Sequence, residues 1–404
     1  MRIMDRVQAP VPAFVVFLIT AIVVYGAFGS PTPDHPGVWE AAVGILLILA
    51  IGAAGIKNAF TPVSTGSPYL KILQIFFLTG LLLPCLSAVY AGNDPVLVLR
   101  DVAAFLFLGL PLFLSMRFDG RPDLVRKLSF ALVFAGLCFC IRTLVPVFNI
   151  WIPAGELLYL SNSPLAILAG LLLTGLGWNA ALKQTPRSFM FAFLCGTGAL
   201  VIVAAMILDV QRATIGAMAL SGLVLFLFSL VETPRRVVFP VTVLLAGGWI
   251  FRHTVLGILQ AMEHKTALVG FNARIAEAHA VIENVSYDPV AFFIGRGWGA
   301  TFSSPAVAGL EVNYTHSLLT TMLLKGGLIL FCVCGLMLVA ALYQIFLIFQ
   351  RDRVSGLALF WSVIIPSLLY ASHKSLDFGL VLLMTGVWSV AGGALQNSAS
   401  SDKK

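Results

Sequence analysis

The sequence predicts an all-α, polytopic integral membrane protein of about twelve transmembrane helices, with one large loop on the outer, non-cytoplasmic face. Three observations carry this. Hydrophobic residues make up 59% of the 404 and charged residues 11%, against roughly 25% charged in a soluble domain, and the mean hydropathy is +0.97. The apolar residues fall in runs close to the roughly 20 residues that cross a hydrocarbon core. Lysine and arginine recur in every second connection, as they do in loops retained in the cytoplasm.

The first run, residues 11–29, follows Arg2 and Arg6 and reaches spanning length with no small-residue cleavage site, so it is expected to remain as a signal anchor with its N-terminus inside. Further runs lie at 40–56, 69–91, 101–116, 128–148, 164–182, 189–208, 214–231, 237–252, 317–349, 356–372 and 378–395. Counted from inside, the cytoplasmic connections hold Lys57; Arg117, Arg121, Arg126 and Lys127; Lys183 and Arg187; Arg235 and Arg236; and Arg351 and Arg353. Lys403 and Lys404 close the chain. The short outer connections at 30–37, 93–100, 149–164, 209–213 and 373–377 carry few bases. Losing one span from the count would place basic clusters outside, so the alternation supports twelve spans and two cytoplasmic termini. It also accounts for the +7 net charge, and no nucleic-acid partner is expected.

Residues 1–404 read as a single membrane domain without internal repeats, and only the connection at 252–315, between the ninth and tenth helices, is long enough for a substructure of its own. Residues 267–285 fit an amphipathic helix, Tyr287-Asp288-Pro289 marks a turn, and Gly295-Arg296-Gly297-Trp298-Gly299 is a glycine-rich bend. Loops on a rigid scaffold often carry function, which makes this one the first place to search.

Residue types narrow the chemistry. The six cysteines lie in apolar runs and read as small core residues; Cys138/Cys140 and Cys332/Cys334 are two apart, which points them to different helix faces and disfavours a shared metal. The outer side has no paired acids resembling a metal-binding Asp-x-Asp, so no metal and no cofactor are expected. The glycine-rich bend is not a phosphate loop, since no strand precedes it and no Lys-Ser or Lys-Thr follows.

All six histidines fall on the outer side in this topology. His316 stands apart, because Thr315 is a good N-cap and a helix is expected to begin beside it. On that first turn it would face an outer cavity with the positive end of the helix dipole next to it, which favours a bound anion and a neutral, proton-accepting imidazole. Four arginines also stand out. Arg142 lies in the outer third of the fifth span, Arg212 opens the eighth, Arg274 is on the loop helix and Arg296 is in the bend. An arginine in or beside a span is costly and needs a partner, and converging guanidinium forks match diphosphate oxygens. Snorkelling to headgroups, or pairing with Asp209, Glu277 or Glu283, is the alternative use.

The stretches Gly295-Arg296-Gly297-Trp298-Gly299, Asn313-Tyr314-Thr315-His316-Ser317-Leu318-Leu319 and Leu324-Lys325-Gly326-Gly327-Leu328-Ile329 together resemble the signature of the O-antigen ligase and O-antigen polymerase superfamily. Gln211-Arg212-Ala213-Thr214 looks like that family's arginine opening a span, and Asn272-Ala273-Arg274-Ile275 like the one leading its outer-loop helix. The resemblance covers roughly residues 205–350. It implies an undecaprenyl-diphosphate-linked glycan donor, metal-free transfer at the periplasmic face of a bacterial inner membrane, and a lipid A-core acceptor for a ligase or a growing glycan for a polymerase. Carried over, it implies His316 as base or acceptor-orienting group and Arg212 and Arg274 as the diphosphate clamp, with Arg142 and Arg296 as further candidates. Members often have a smaller uncharged residue in place of Arg296 and an acid near Lys325, which bears on the acceptor. The size and the single large outer loop favour ligase over polymerase. A secondary transporter is the reading from another class, since twelve spans and Arg117-Phe118-Asp119-Gly120-Arg121-Pro122 also fit carriers.

Overall fold

In the computed structural model the described residues are 10–30, 37–63, 66–119, 121–145, 147, 157–250 and 272–401, with 252–253, 256–257, 260 and 263 between the last two segments. They form an all-α polytopic membrane protein with one small β-hairpin.

A helix stands at each of the twelve expected positions. In chain order they are α1 (Ala13–Phe28), α2 (Val38–Phe60), α3 (Pro68–Ala91), α4 (Pro95–Leu108) with α5 (Leu110–Leu114), and α6 (Pro122–Leu144). After the short α7 (Leu157–Ser161) come α8 (Pro164–Ala181), α9 (Pro186–Leu208), α10 (Arg212–Glu232) and α11 (Pro234–Ile250). The long connection holds α12 (Asn272–Ser286) and α13 (Pro289–Ile294), and the described chain ends with α14 (Leu318–Arg351), α15 (Arg353–Leu368) and α16 (Leu376–Ser401). Seven of these are long and apolar enough to cross a membrane, and α4 with α5 and the turn to Phe118, bent by 51°, would make an eighth. Ala13–Phe28, Arg353–Leu368 and Leu376–Val390 are shorter apolar helices.

Local chemistry places many of the starts. Asp94, Ser163 and Asp288 each cap a helix by accepting from the backbone N–H two residues on, and each is followed by proline, whose fixed φ and missing N–H suit the first helical position. Thr185 and Ser188 form a reciprocal capping box at α9.

The expected helix at 267–285 is Asn272–Ser286, while residues 264–271, including His264, and also His35, Arg2, Arg6, Lys403 and Lys404, lie outside the described residues. The cysteines are all free; Cys140, Cys195 and Cys334 are buried as expected of core residues, but Cys332 is exposed. An apolar helix in lipid can expose small residues on its outer side as readily as bury them.

Two interruptions inside helices are built rather than accidental. At Gly52 in α2 (φ 54°) the ladder breaks, and Arg117 donates to the freed carbonyls of Ala50 and Ile51 at 2.6 and 3.1 Å. The arginine that suggested a carrier loop is thus a helix-capping group. At Gly327 in α14 (φ 62°) the ladder breaks again, and the glycine-rich bend of the long connection supplies the missing donors: Arg296 N–H to Leu324 O and Gly297 N–H to Lys325 O, both at 2.9 Å. On its other side the bend meets α3. Pro84 lacks an N–H, so the Gly80 carbonyl loses its helical donor, and the buried Trp298 indole N–H fills that place at 3.1 Å. Replacing Trp298 with phenylalanine keeps the ring but strands that carbonyl. We expect it to cost about 1–3 kcal/mol, read as a lowered thermal midpoint of the purified protein in detergent.

Candidate functional site

The site gathers three segments at one end of the bundle. From α12 come Arg274, Glu277 and His279; from the start of α14 come His316, Ser317 and Thr320; from the end of α15 comes Leu368. These residues, with Ile275, Ala278 and Ile282, line one cavity of about 280 Å³ that mixes polar and apolar side chains.

His316 is not on the helix's first turn. The helix begins at Leu318 with Ser317 as its N-cap, and the Thr315 hydroxyl, which accepts the Ser317 N–H at 3.4 Å, sits just before that cap. His316 itself is held by Glu277. Its carboxylate accepts the His316 backbone N–H at 2.9 Å and faces the imidazole Nδ1 at 3.0 and 3.2 Å, holding the residue just outside the helix. Ser304, on the hairpin of β1 (Phe302–Ser304) and β2 (Leu310–Val312), donates a third bond to Glu277 at 2.9 Å. Burial alone would raise the Glu277 carboxyl, but the bonds from His316 and Ser304 outweigh it and hold it below the usual carboxylate range. An ionised Glu277 requires the proton on Nδ1, which leaves Nε2 of the neutral ring as the acceptor. Tyr314 meets the imidazole edge-on, with ring centroids 5.8 Å apart.

Arg274, one turn before Glu277, is half-buried, and Arg212 is the first residue of α10. The Tyr370 phenol, in the turn after α15, is within electrostatic reach of both guanidiniums, so these two segments, some sixty residues apart in sequence, approach the same turn. The turn before Arg212 is pinned by Gln211, which is buried and bonded to Ser161.

The other two arginines are engaged elsewhere. Arg142 is buried in the last turn of α6, donates to Gly26 O at 3.0 Å and lies over the Phe139 ring. Arg296 donates to the Asn284 carbonyl through Nε at 3.1 Å and Nη2 at 2.5 Å, closing the end of α12. Neither lines the cavity.

Behind the site, the fully buried His373 donates from Nδ1 to Tyr370 O at 3.2 Å, so its Nε2 accepts from the Thr321 hydroxyl at 3.1 Å. Burial, with Lys374 adding to it, pushes this imidazole down to about 3, so the folded protein holds it neutral. An unfolded histidine titrates near 6.5. Between those values the unfolded chain binds a proton that the folded one refuses, so stability falls as pH drops below about 6.5. At pH 5 this amounts to about 2 kcal/mol. His373→Gln should lose less thermal stability than wild type between pH 7.5 and 5, read from paired melting curves.

Glu277 is the residue sequence reasoning missed as part of the chemistry. It appears there only as a possible partner of an arginine, and the one signal available is its placement three residues after Arg274 on an amphipathic helix.

No protein-family model matches the chain, and no curated protein matches it.

Proposed function

We propose that the protein is a metal-independent glycosyltransferase of the O-antigen ligase kind, moving glycan from undecaprenyl diphosphate to lipid A-core oligosaccharide at the periplasmic face of the bacterial inner membrane. The observation that carries the reading is the His316–Glu277 pair opening onto the cavity that Arg274 also lines.

In the reaction, His316 Nε2 takes the proton of the acceptor hydroxyl while that oxygen bonds to the anomeric carbon of the donor. The bond from that carbon to the diphosphate oxygen breaks, and undecaprenyl diphosphate leaves with the electron pair. Arg212 and Arg274 hold the charge that develops on it, which is the dominant stabilisation in a partly dry site. Glu277 fixes the tautomer and balances the imidazolium that forms. The two guanidiniums supply the positive charge that a metal ion supplies in other transferases, so none is required.

The accompanying topology has twelve spans, cytoplasmic termini and residues 252–315 outside. It is supported by a helix at every expected position and by the basic residues of alternate connections.

The test is transfer from undecaprenyl-diphosphate glycan to lipid A-core by purified protein, with a chelator present and products resolved by gel. Glycan on lipid A-core is the expected result. Elongation of the donor glycan with lipid A-core left bare would instead identify a repeat-unit polymerase using the same parts. Neither product, with solute accumulated in proteoliposomes, would identify a transporter.

A further inference from the structure

A buried cluster beside the site holds one more positive charge than its own balance requires. Asp101, on α4, is 3% exposed, and each of its oxygens accepts two donors. Oδ2 takes Lys325 Nζ at 2.6 Å and the Gly299 N–H at 2.9 Å; Oδ1 takes Lys374 Nζ at 2.9 Å and the Asn313 amide at 3.3 Å. That fills the acceptor capacity of a carboxylate. Lys325 is fully buried in α14 and also donates to Ala300 O at 2.7 Å, so by itself it neutralises Asp101 and ties the glycine-rich bend to the bundle. Lys374 adds a second cation where the first already suffices, and the two lysines repel each other across the shared carboxylate.

What Lys374 adds is contact with the segment leading to His316. Its ammonium donates to Asn313 O at 3.1 Å and sits 5.8 Å from the centroid of the Tyr314 ring, whose edge packs against the His316 imidazole. Residues 313–316 are therefore gripped on one side by Lys374 and Asp101 and on the other by Glu277, which holds the His316 N–H and ring. The grip joins three separate parts of the chain, α4, the outer loop and the turn after α15.

We propose that Lys374, anchored on Asp101, is a positioning residue that sets the placement of His316 over the cavity. Its role as a device for catalysis rests on the transferase reading above; the grip on residues 313–316 does not. Lys374 is 22% exposed in its side chain, and removing it leaves Asp101 paired with Lys325, so its loss leaves no buried charge uncompensated.

The experiment compares wild type, Lys374→Met and Lys374→Arg as full-length protein in detergent, by amide hydrogen exchange and by steady-state transfer kinetics. For Lys374→Met we expect exchange across residues 313–316 to speed up about tenfold or more, with peptides of α6 and α10 unchanged. We expect kcat to fall about 10- to 100-fold with the KM for donor unchanged, because orientation is lost and donor binding is not. Lys374→Arg should restore much of both. Unchanged exchange in Lys374→Met would overturn the grip itself. Faster exchange with wild-type kcat would overturn the positioning role and leave a structural contact. Should wild type transfer no glycan, the transferase reading fails, and the exchange arm alone decides whether Lys374 holds the His316 segment.

Discussion

Replacing His316 with alanine is expected to lower glycan transfer by about 10²- to 10⁴-fold, the range for loss of a positioned acid–base group, in a protein that still elutes as a folded species from detergent gel filtration. In the proposed mechanism the loss falls on kcat, since the imidazole there acts on a proton that moves only as the new bond forms. Glu277→Gln should follow it by about 10²-fold. The amide can still face Nδ1, but it no longer fixes the tautomer or balances the imidazolium. Arg274→Lys should not rescue Arg274→Ala to wild-type activity, because a point charge does not reproduce a fork matched to phosphate oxygens. Full activity in His316→Ala would remove the base from this mechanism, whatever the acceptor.

The largest effect on folding is expected at Gly297. Its φ of +84° is a conformation that other residues reach only under strain, and a Cβ there would lie 2.2 Å from the Ala88 backbone nitrogen and 2.5 Å from its Cα. Neither atom is a flexible side-chain end, so α3 and the glycine-rich bend must separate. Gly297→Ala should therefore cost more than the roughly 1–3 kcal/mol of backbone strain alone. The release of the bend would also strand the Lys325 carbonyl at the break in α14 and expose the buried Trp298. We expect a protein that is recovered in low yield and melts well below wild type, while Gly335→Ala, at a helical glycine with open space around it, should behave as wild type. Equal melting of the two variants would show that the bend does not carry the joint.

The two glycine-bearing stretches show how far sequence reading reaches. Gly295 to Gly299 and Lys325-Gly326-Gly327 stand out in the sequence as separate motifs. In the structure they are the two halves of one joint, since the N–H groups of the first satisfy the carbonyls freed by the second. Nothing in the spacing of either motif reveals that pairing. The helix start shifted for the same kind of reason: local preference favours Thr315 as the cap and its hydroxyl does accept the Ser317 N–H at 3.4 Å, but Glu277, 39 residues away, holds the His316 N–H and ring, and the helix begins only at Leu318. Lys325 presents as a charge that could face an acceptor, yet it is buried against Asp101, some 220 residues earlier in the chain.

The class of the protein was determined by the sequence alone, because apolar runs and the side on which bases fall are summed over many residues and no single contact can reverse them. Helix starts were less legible: a cap and a proline act within one turn of themselves, but apolar runs do not report them, and the runs at 101 and 128 begin six residues after Pro95 and Pro122. Arg212, Arg274 and His316 could be singled out because charge or a titratable ring at the edge of an apolar run is costly wherever it sits. Only the tertiary structure decided which of these side chains meet. It gave His316 its carboxylate partner, turned Arg296 towards Asn284 and away from the cavity, and gathered Asp101, Lys325 and Lys374 at one point. Those outcomes depend on hydrogen-bond distances between residues far apart in the chain, and a bond that is made or lost over less than an ångström leaves no trace in local pattern.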